Sequence, residues 1–546
     1  MRHKILGMDP AARVPRWLAV AGVAAEPIAL ILLFLLALSP RWEATFPGDA
    51  VYYVDADCYS RMLRARELWE GGIHSIAFQR TENWPDGVHT HATMPLDLLI
   101  VGLGRVFQPW ATDPLAVAGA WVSPILGACT LIMLWAWTRR ERFRWFGWGI
   151  AAISPAWAHG FALGRPDHQS LQVFLLTLAL LAEWRIWGAG EAGNAGLSRT
   201  DVAVWWRDPA LISGVAWGLA LWTSLYEPLV FLVLTLSLRG VVLGWGALRP
   251  RVLRGMAATG IILAAALVVD GMRFQPLPTE TLTFFANWSR LIGELRSSGW
   301  LDFEILAIAG FLPLLFVGLL IWQCVRGGGR AFAAFALFLA VSFGLTLWQR
   351  RWEYFLVMVV ALVAPTAMRS FRHAWKAWLV FLVASAPVFV CWIGIVHSSA
   401  AVRALHAEQR KEDRLLREAG QALISNDMTP ILAPWWLSPA FAWWSGQPTV
   451  GGSSHQSLPG IVASCRFYLS EPGRSALALA EQRGVVFVVG YEPERVVVTS
   501  ETILGIRAPV QNMATRLYRT GAPDPPGLEK VFQNEFFRIY EVRSIR

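Results

Sequence analysis

Long apolar runs separated by short basic loops constrain this chain more than any other feature of its sequence. The 546-residue chain contains runs of roughly 17 to 23 apolar residues, long enough to cross a hydrocarbon core about 30 Å thick. They lie near 17–38, 115–137, 144–162, 170–187, 209–224, 228–246, 255–271, 304–323, 331–347, 353–368 and 376–396. The pattern predicts a polytopic α-helical membrane protein with about eleven transmembrane helices.

The charge distribution supports this prediction. Charged residues make up 16% of the chain, against about 25% in an ordinary soluble protein. The net charge of +9 comes mainly from arginines spread over short loops, which favours lipid contact over nucleic-acid binding. The five cysteines lack metal-ligand spacing, and a disulfide between Cys58 and Cys465 is an open alternative.

Basic loops predict the orientation of the spans. If the spans alternate, one side receives the basic N-terminus and the basic stretches 139–144, 185–207, 249–254, 326–330 and 369–376. Because positive loops stay cytoplasmic, that side is predicted to be the inner one. The outer side then receives the first outer loop (39–114), the short outer loop (164–170), 224–228, 272–303, 349–352 and the C-terminal 150 residues.

The C-terminal part is more polar than the rest of the chain. The stretches 484–490 and 537–542 are typical of buried strands. We therefore expect two domains, a transmembrane domain at 1–396 and an extracytoplasmic α/β domain at 397–546.

Carboxylates occur where the chain emerges on the predicted outer side. Asp55 and Asp57 follow the first span, and Asp167 and His168 lie in the short outer loop. One interpretation of the first pair is an ordinary solvated loop with weak ion pairs. Ionisable groups held close to the bilayer, however, favour a functional site.

Two further outer segments carry charges of the same kind. Glu280 and Glu294 lie in 272–303, and Arg350 and Arg351 interrupt the expected distribution of positive charge. Carboxylates on three loops, with an arginine pair on a fourth, suit a divalent cation bound to a phosphorylated ligand. An ion-coupled transporter is the alternative, although its charges should lie near mid-bilayer, where Glu26 and Asp270 are the main candidates.

Six stretches extend this interpretation. In chain order they are "DCYSRMLRARELWEGG" from Asp57, "NWPDGVHTHATMPLDLLI" (83–100), "GRPDHQSLQVF", "SRLIGELRSSGW", "QRRWEYFLVMVVAL" and "ILAPWWLSPAFAWWSGQPTVGGSSHQ" (431–456). In that order they resemble segments of the oligosaccharyltransferase catalytic subunits, members of the GT-C glycosyltransferase superfamily. The resemblance implies a divergent bacterial-type member with a GT-C fold of 11 to 13 transmembrane helices.

The resemblance also implies a metal site that holds Mn²⁺ or Mg²⁺. The matching positions are Asp57, Asp167, Glu294, His168 and Gln169. Glu280 is the alternative to Glu294, because the family's Thr-x-x-Glu pattern is not cleanly present at either glutamate. Gln169 replaces a charged or imidazole ligand of the family, so it would ligate through a neutral carbonyl.

Donor and acceptor contacts follow in the same way. Arg351, with Arg350 as the alternative, would contact the donor phosphate. Asp57 or Asp55 would orient the acceptor and help to remove its proton, so that Asp57, Asp55, Asp167 and Glu294 form the expected catalytic set.

The acceptor segment departs from the family. Trp435, Trp436 and Ser438 are the expected acceptor contacts, but Leu437 stands where the family has an Asp that binds the hydroxyl of an Asn-x-Ser/Thr sequon. A site that loses such a partner loses that discrimination, so we do not expect this sequon to be the acceptor. Other polar groups that could contact a different acceptor are Ser453, Ser454 and His455.

The resemblance thus implies an inverting, metal-dependent glycosyltransferase in the inner (plasma) membrane. It would move a sugar or oligosaccharide from a polyprenyl phosphate or pyrophosphate to a protein, lipid or polysaccharide acceptor, with its site facing the periplasm or exterior. The alternatives are a transporter or flippase of a lipid-linked sugar or another anion, and a scaffold that has lost its activity.

Overall fold

The computed structural model describes residues 16–71, 76–90, 92–191, 208–243, 249–271, 281–519, 521 and 523–543. Its helices from the N-terminus to residue 396 are α1 (Arg16–Leu38), α2 (Trp42–Thr45), α3 (Ala56–Gly71), α4 (Met94–Phe107), α5 (Pro114–Thr138), α6 (Arg144–Ile153), α7 (Pro155–Gly160), α8 (His168–Glu191), α9 (Pro209–Thr223), α10 (Tyr226–Leu243), α11 (Arg249–Asp270), α12 (Leu282–Ser289), α13 (Phe303–Ala309), α14 (Leu312–Gln323), α15 (Arg330–Trp348), α16 (Glu353–Met368) and α17 (Ala374–Val396). Glu280, the alternative third carboxylate, lies outside the described residues.

Every predicted span coincides with one helix or with two consecutive helices. Seven helices of the described chain are long and apolar enough to cross a membrane, or eight if the bent pair α13–α14 forms one span. The predicted fold class, a polytopic helical membrane protein, is confirmed.

Two predicted spans are broken. In 144–162, Pro155 begins α7 after Ser154, and a proline has no N–H to continue the hydrogen bonds of α6. In 304–323, α13 and α14 are inclined by 58° at Gly310, whose φ is +61°.

Burial distinguishes central from peripheral helices. The apolar span that includes α16 is 89% buried and that of α8 is 78% buried, whereas only 6% of the span in α11 is buried. The helices α8 and α16 therefore form the centre of the bundle, and α11 presents most of its apolar surface outward, as a lipid-facing helix does.

The C-terminal residues form an α/β layer whose apolar core is continuous with that of the helical bundle. Its helices are α18 (Ala400–Gln421), α19 (Ser438–Ser445), α20 (Leu458–Leu469), α21 (Arg474–Gln482), α22 (Pro493–Leu504) and α23 (Met513–Tyr518). After a short hairpin of β1 (Phe78–Gln79) and β2 (Val88–His89) in the first outer loop, the remaining strands are β3 (Ile431–Leu432), β4 (Phe487–Gly490), β5 (Leu528–Gln533) and β6 (Arg538–Val542). They form a sheet in the order β3-β4-β6-β5, with β3 parallel to β4 and the other pairs antiparallel. The two predicted strands are β4 and β6.

The disulfide left open above does not form. Cys58 and Cys465 are both free and buried, and they pack in two different apolar clusters. Both act as small core residues.

Candidate active site

The predicted outer loops meet at one cavity of about 1100 Å³. Its walls come from the first outer loop, the short outer loop, the segment 285–297, the loop that follows α15 and residues 453–455 of the C-terminal part. Asp55, Asp57, Asp167 and Glu294 all line it. Carboxylates from three distant parts of the sequence therefore face one space.

Asp55 and Asp57 lie at the start of α3 and have different surroundings. Asp55 caps the helix, because its Oδ1 accepts a hydrogen bond of 3.0 Å from the backbone N–H of Cys58. Asp57 accepts a hydrogen bond from Ser453. Its side chain is exposed to the cavity but surrounded by protein, and the resulting desolvation, together with the charge of Asp55, raises the pKa of Asp57 to about 7.

The short outer loop is bound to the first outer loop through Gly164. The backbone N–H of Val54 donates to the Gly164 carbonyl at 3.0 Å. Gly164 has a φ of +75°, and a Cβ there would lie 2.8 Å from both Thr45 Oγ1 and the Tyr52 carbonyl oxygen. Only glycine fits this close approach, which brings Asp167 beside the start of α3.

Arg165 is a buried arginine that contacts two of the cavity carboxylates. Its side chain is 2% exposed, and its Nη2 lies 3.0 Å from Asp167 Oδ2 and 3.1 Å from Glu294 Oε1. His168 Nδ1 contacts the other oxygen of Asp167 at 2.6 Å. Burial alone would raise the pKa of Asp167, but His168 and Arg165 lower it below its ordinary value, so this carboxylate is ionised at neutral pH.

Glu294 lies in a single 3-10 turn, Gly293–Leu295. Burial raises its pKa, against the opposing effect of Arg165. Its Oε2 accepts a hydrogen bond of 3.0 Å from Gln169 Nε2, so both oxygens of the carboxylate are held by residues of another loop.

The prediction that Gln169 ligates the metal is not met by this arrangement. Gln169 is 1% exposed, and its Oε1 accepts a hydrogen bond of 3.0 Å from Arg165 while its Nε2 donates to Glu294. Because both ends of the amide are used within the protein, Gln169 supports Glu294 rather than facing the cavity. His168, in contrast, lines the cavity.

The two arginines predicted to bind the donor have different surroundings. Arg351 lines the cavity and forms an ion pair with the fully buried Glu227. Arg350 instead pairs with the exposed Glu304 and with Glu353 at 3.5 Å. Of the pair, Arg351 is the residue placed to meet a ligand in the cavity.

The predicted acceptor residues do not line the cavity. Ser438 is fully buried and donates to the Ala433 and Pro434 carbonyl oxygens. Trp435 packs edge-on against Trp288 and Trp436, with ring centroids 6.0 and 5.9 Å apart. These three predicted contacts are structural in this arrangement.

The cavity is lined instead by polar groups further along the same segment. Ser453, Ser454 and His455 line the cavity, and their segment is joined to the first outer loop through Glu82. This carboxylate is 1% exposed and accepts hydrogen bonds from Ser60 and, at 2.7 Å, from Ser457.

Sequence reasoning missed Arg165 and Glu82. Arg165 carried a usable signal, because it is an arginine in an outer loop against the positive-inside trend, as Arg350 and Arg351 are. Glu82 carried none, since its role depends on two serines, one of them from the C-terminal part of the chain.

The side chains of the site offer the ligands of a divalent cation, but not in a finished arrangement. Among the described residues, no three His, Cys, Asp or Glu side chains are arranged to hold a metal ion as they stand, and Arg165 bridges Asp167 and Glu294. The donor chemistry fits nevertheless, because Asp57, Asp167 and Glu294 offer the oxygens that Mg²⁺ or Mn²⁺ prefers. The charges of Asp167 and Glu294 also contribute to the raised pKa of Asp57, a sign of surplus negative charge.

The overall fold of this chain, a helical membrane bundle with an appended α/β layer, is shared with solved membrane proteins. The archaeal oligosaccharyltransferase AglB from Archaeoglobus fulgidus, solved with an inhibitory peptide and a dolichol-phosphate, has this fold. It matches with a TM-score of 0.67 and 14% identity over 90% of this chain and 72% of its own. An oligosaccharyltransferase from Archaeoglobus fulgidus solved with Zn and sulfate matches with a TM-score of 0.62 and 17% identity, over 90% of this chain and 71% of its own.

ArnT from Cupriavidus metallidurans, solved with undecaprenyl phosphate, is similar over nearly its whole length. The TM-score is 0.55 and the identity 14%, over 95% of this chain and 98% of that one. No family model matches the sequence, and no curated protein does. At identities this low, the structural similarity establishes a shared fold and no more.

Proposed function

We propose that this protein is an inverting, metal-dependent glycosyltransferase of the inner membrane. It moves a sugar or oligosaccharide from a polyprenyl phosphate or pyrophosphate to an acceptor on the extracytoplasmic side. The observation that carries the proposal is the convergence of Asp57, Asp167, Glu294 and Arg351 on one cavity. A cavity at the end of a membrane bundle suits a donor whose lipid tail stays in the bilayer, and relatives of the same fold are known with dolichol-phosphate and undecaprenyl phosphate.

In the proposed reaction the acceptor nucleophile attacks the anomeric carbon of the donor sugar. The bond from that carbon to the phosphate oxygen breaks, and the lipid phosphate leaves with the bonding electrons. Attack from the face opposite the leaving group inverts the anomeric centre. Asp57 orients the acceptor and takes its proton, whereas Asp55 is partly committed to capping α3.

Charge on the departing phosphate is the second requirement. Arg351, fixed by Glu227, presents a positive charge whose benefit grows as the bond to phosphate breaks. Mn²⁺ or Mg²⁺, when bound by Asp57, Asp167, Glu294 and His168, supplies Lewis-acid stabilisation of the same oxygens.

We propose two domains, a transmembrane domain of residues 1–396 and a C-terminal domain of residues 397–546. The C-terminal domain binds the acceptor and contributes Ser453, Ser454 and His455 to the wall of the cavity. Leu437 is 8% exposed and offers no partner for a sequon hydroxyl. A protein, a lipid or a growing polysaccharide is therefore the acceptor, in a context other than Asn-x-Ser/Thr.

Undecaprenyl phosphate is a suitable probe, because it is the leaving group of many such donors whatever the sugar. We expect Mn²⁺ to strengthen its binding to the purified protein in nanodiscs, and Asp57→Asn to abolish this effect. Asp49→Asn, on an exposed carboxylate of the same loop, is the control. In the presence of lipid-linked sugars from bacterial membranes, the wild type should release the lipid phosphate.

The transporter alternative makes the opposite prediction, namely movement of lipid-linked sugar across the membrane with no cleavage of the glycosidic bond. The two acidic residues that the sequence offers for such a transporter are already engaged within the protein. Glu26 pairs with Arg144 at 2.7 Å, and Asp270 accepts a hydrogen bond of 2.6 Å from Trp222. Transport without cleavage, unaffected by Asp57→Asn, would overturn the proposed function.

A further inference from the structure

One nitrogen atom of Arg165 lies at the centre of three predicted metal-ligand side chains. Its Nη2 is 3.0 Å from Asp167 Oδ2, 3.1 Å from Glu294 Oε1 and 3.0 Å from Gln169 Oε1. Three oxygens around one positively charged nitrogen resemble the oxygen ligands around a metal cation. The nitrogen–oxygen distances are those of hydrogen bonds, however, and are longer than metal–oxygen distances. Arg165 thus supplies positive charge where these carboxylates approach each other.

The guanidinium is held by the helix bundle and not by the carboxylates alone. It lies over the ring of Tyr354, 5.2 Å from the centroid, and its Nη1 donates to the His159 carbonyl at 3.5 Å. The Gly164 that precedes it is fixed against Tyr52 and Thr45. Arg165 is therefore a fixed point to which another loop can be attached.

The attached element is the segment that carries Glu294. Glu294 is 38% exposed in its side chain, and its two oxygens contact Arg165 and Gln169. Backbone hydrogen bonds also join the segment to the end of α15 and to the loop that follows it, from Ser298 N–H to the Leu347 carbonyl at 2.9 Å and from Arg350 N–H to the Arg296 carbonyl at 3.1 Å. Leu291 and Ile292 pack on an apolar cluster of the C-terminal part. The carboxylate is the link between this segment and the short outer loop.

We propose that Arg165 is a positioning residue, an internal counter-ion that holds Glu294 beside Asp167 before a divalent cation binds. The role of that cation rests on the proposed function, but the attachment of the segment does not. Without the guanidinium, two carboxylates held this close would repel each other. Glu294 would then move away, and its segment would leave the short outer loop until a cation supplied the missing charge.

Variants of Arg165 distinguish the charge of the guanidinium from that of a bound cation. In the wild type, Arg165 keeps the segment attached whether or not Mn²⁺ is present. In Arg165→Gln the attachment depends on Mn²⁺. In Arg165→Lys, a shorter side chain with a compact charge restores part of the cation-independent attachment, because Lys cannot reproduce the planar fork of Arg.

Hydrogen–deuterium exchange of the full-length protein in nanodiscs tests this, followed on peptides that cover residues 289–300. We expect Arg165→Gln without Mn²⁺ to exchange at least tenfold faster than the wild type in this segment, and saturating Mn²⁺ to restore protection. Arg185→Gln is the matched control, because Arg185 lies on α8 and stacks on Trp137, far along the helix from the cavity. It should leave the segment unchanged.

Three outcomes would overturn the proposal. One is a segment that stays protected in Arg165→Gln without Mn²⁺. Another is a segment that stays unprotected with Mn²⁺ and in Arg165→Lys, because its attachment would then not depend on positive charge at this position. The third is a wild type that needs Mn²⁺ for protection. A protected wild type that transfers no sugar would instead count against the proposed function and leave the role of Arg165 intact.

Discussion

Gly164→Ala tests whether the contact between the two aspartate-bearing loops sets the geometry of the site. The added Cβ would lie 2.8 Å from both Thr45 Oγ1 and the Tyr52 carbonyl oxygen, whereas carbon atoms in ordinary contact are about 3.5 Å or more apart. Neither oxygen can easily turn away. The Thr45 hydroxyl donates to the Leu163 carbonyl at 3.2 Å, and the other oxygen belongs to the backbone.

Two costs add. Alanine with a positive φ costs roughly 1–2 kcal/mol, and overpacking a fixed site costs typically 1–3 kcal/mol more. Local opening of the contact should therefore become about 2 to 5 kcal/mol easier. Gly271→Ala isolates the first cost, because Gly271 has a φ of +68° with nothing within 4 Å of its added Cβ.

Hydrogen exchange at the Val54 amide, which donates to Gly164, measures this opening. The two costs together should make exchange in Gly164→Ala about 25- to 4000-fold faster than in wild type, since 1.4 kcal/mol is a factor of ten. Gly271→Ala should leave the Val54 amide unchanged. A Val54 amide equally protected in both variants would refute the argument that this close approach holds Asp55 and Asp57 beside Asp167.

Three further predictions concern charge. Desolvation and Asp55 raise the pKa of Asp57 to about 7, so this carboxylate is ionised above that pH and takes up a competing proton below it. Mn²⁺ affinity measured by calorimetry should therefore weaken by up to about tenfold per pH unit below 7, and more steeply in the wild type than in Asp57→Asn. Profiles of equal slope in the two proteins would contradict this. Arg351→Gln should weaken the binding of undecaprenyl phosphate about 10- to 100-fold, because it removes a hydrogen bond to a charged group. Arg350→Gln should weaken it less than about threefold, because Arg350 pairs mainly with an exposed glutamate. Equal losses of affinity in the two variants would contradict the distinction between these arginines. Leu437→Asp puts an unpaired carboxylate at a position that is only 8% exposed. We therefore expect thermal unfolding to show a loss of stability of about 3 kcal/mol or more, and we expect no transfer to an Asn-x-Ser/Thr sequon. A stable variant that glycosylates an Asn-x-Thr peptide would refute both expectations.

The fold was predictable because lipid demands long apolar segments, and their length is visible in the sequence. The interruptions at Pro155 and Gly310 were within reach of the same reasoning, since a proline removes a backbone donor and glycine readily takes positive φ. The strands β4 and β6 were found for a related reason, because their short apolar runs are flanked by polar residues and glycine.

The site was predictable to the level of loops and not of individual contacts. Alternation of the spans placed Asp57, Asp167 and Glu294 on one side of the membrane. It could not show that both ends of Gln169 would be used inside the protein, because Glu294 is 125 residues away in sequence. Ser438 failed for the same reason, since its burial depends on how the segment after β3 packs.

The hydrogen bonds from Ser453 to Asp57 and from Ser457 to Glu82 bear on how such proteins could be recombined. A chimera that joins the transmembrane part of one relative to the C-terminal part of another at the linker after α17 would cut through a shared wall of the cavity. The unit that has to be exchanged together includes the start of α3, the loop around Glu82 and the serines at 453–457. Under the proposed function, acceptor preference in this protein is a joint property of these two surfaces, and not of a detachable module.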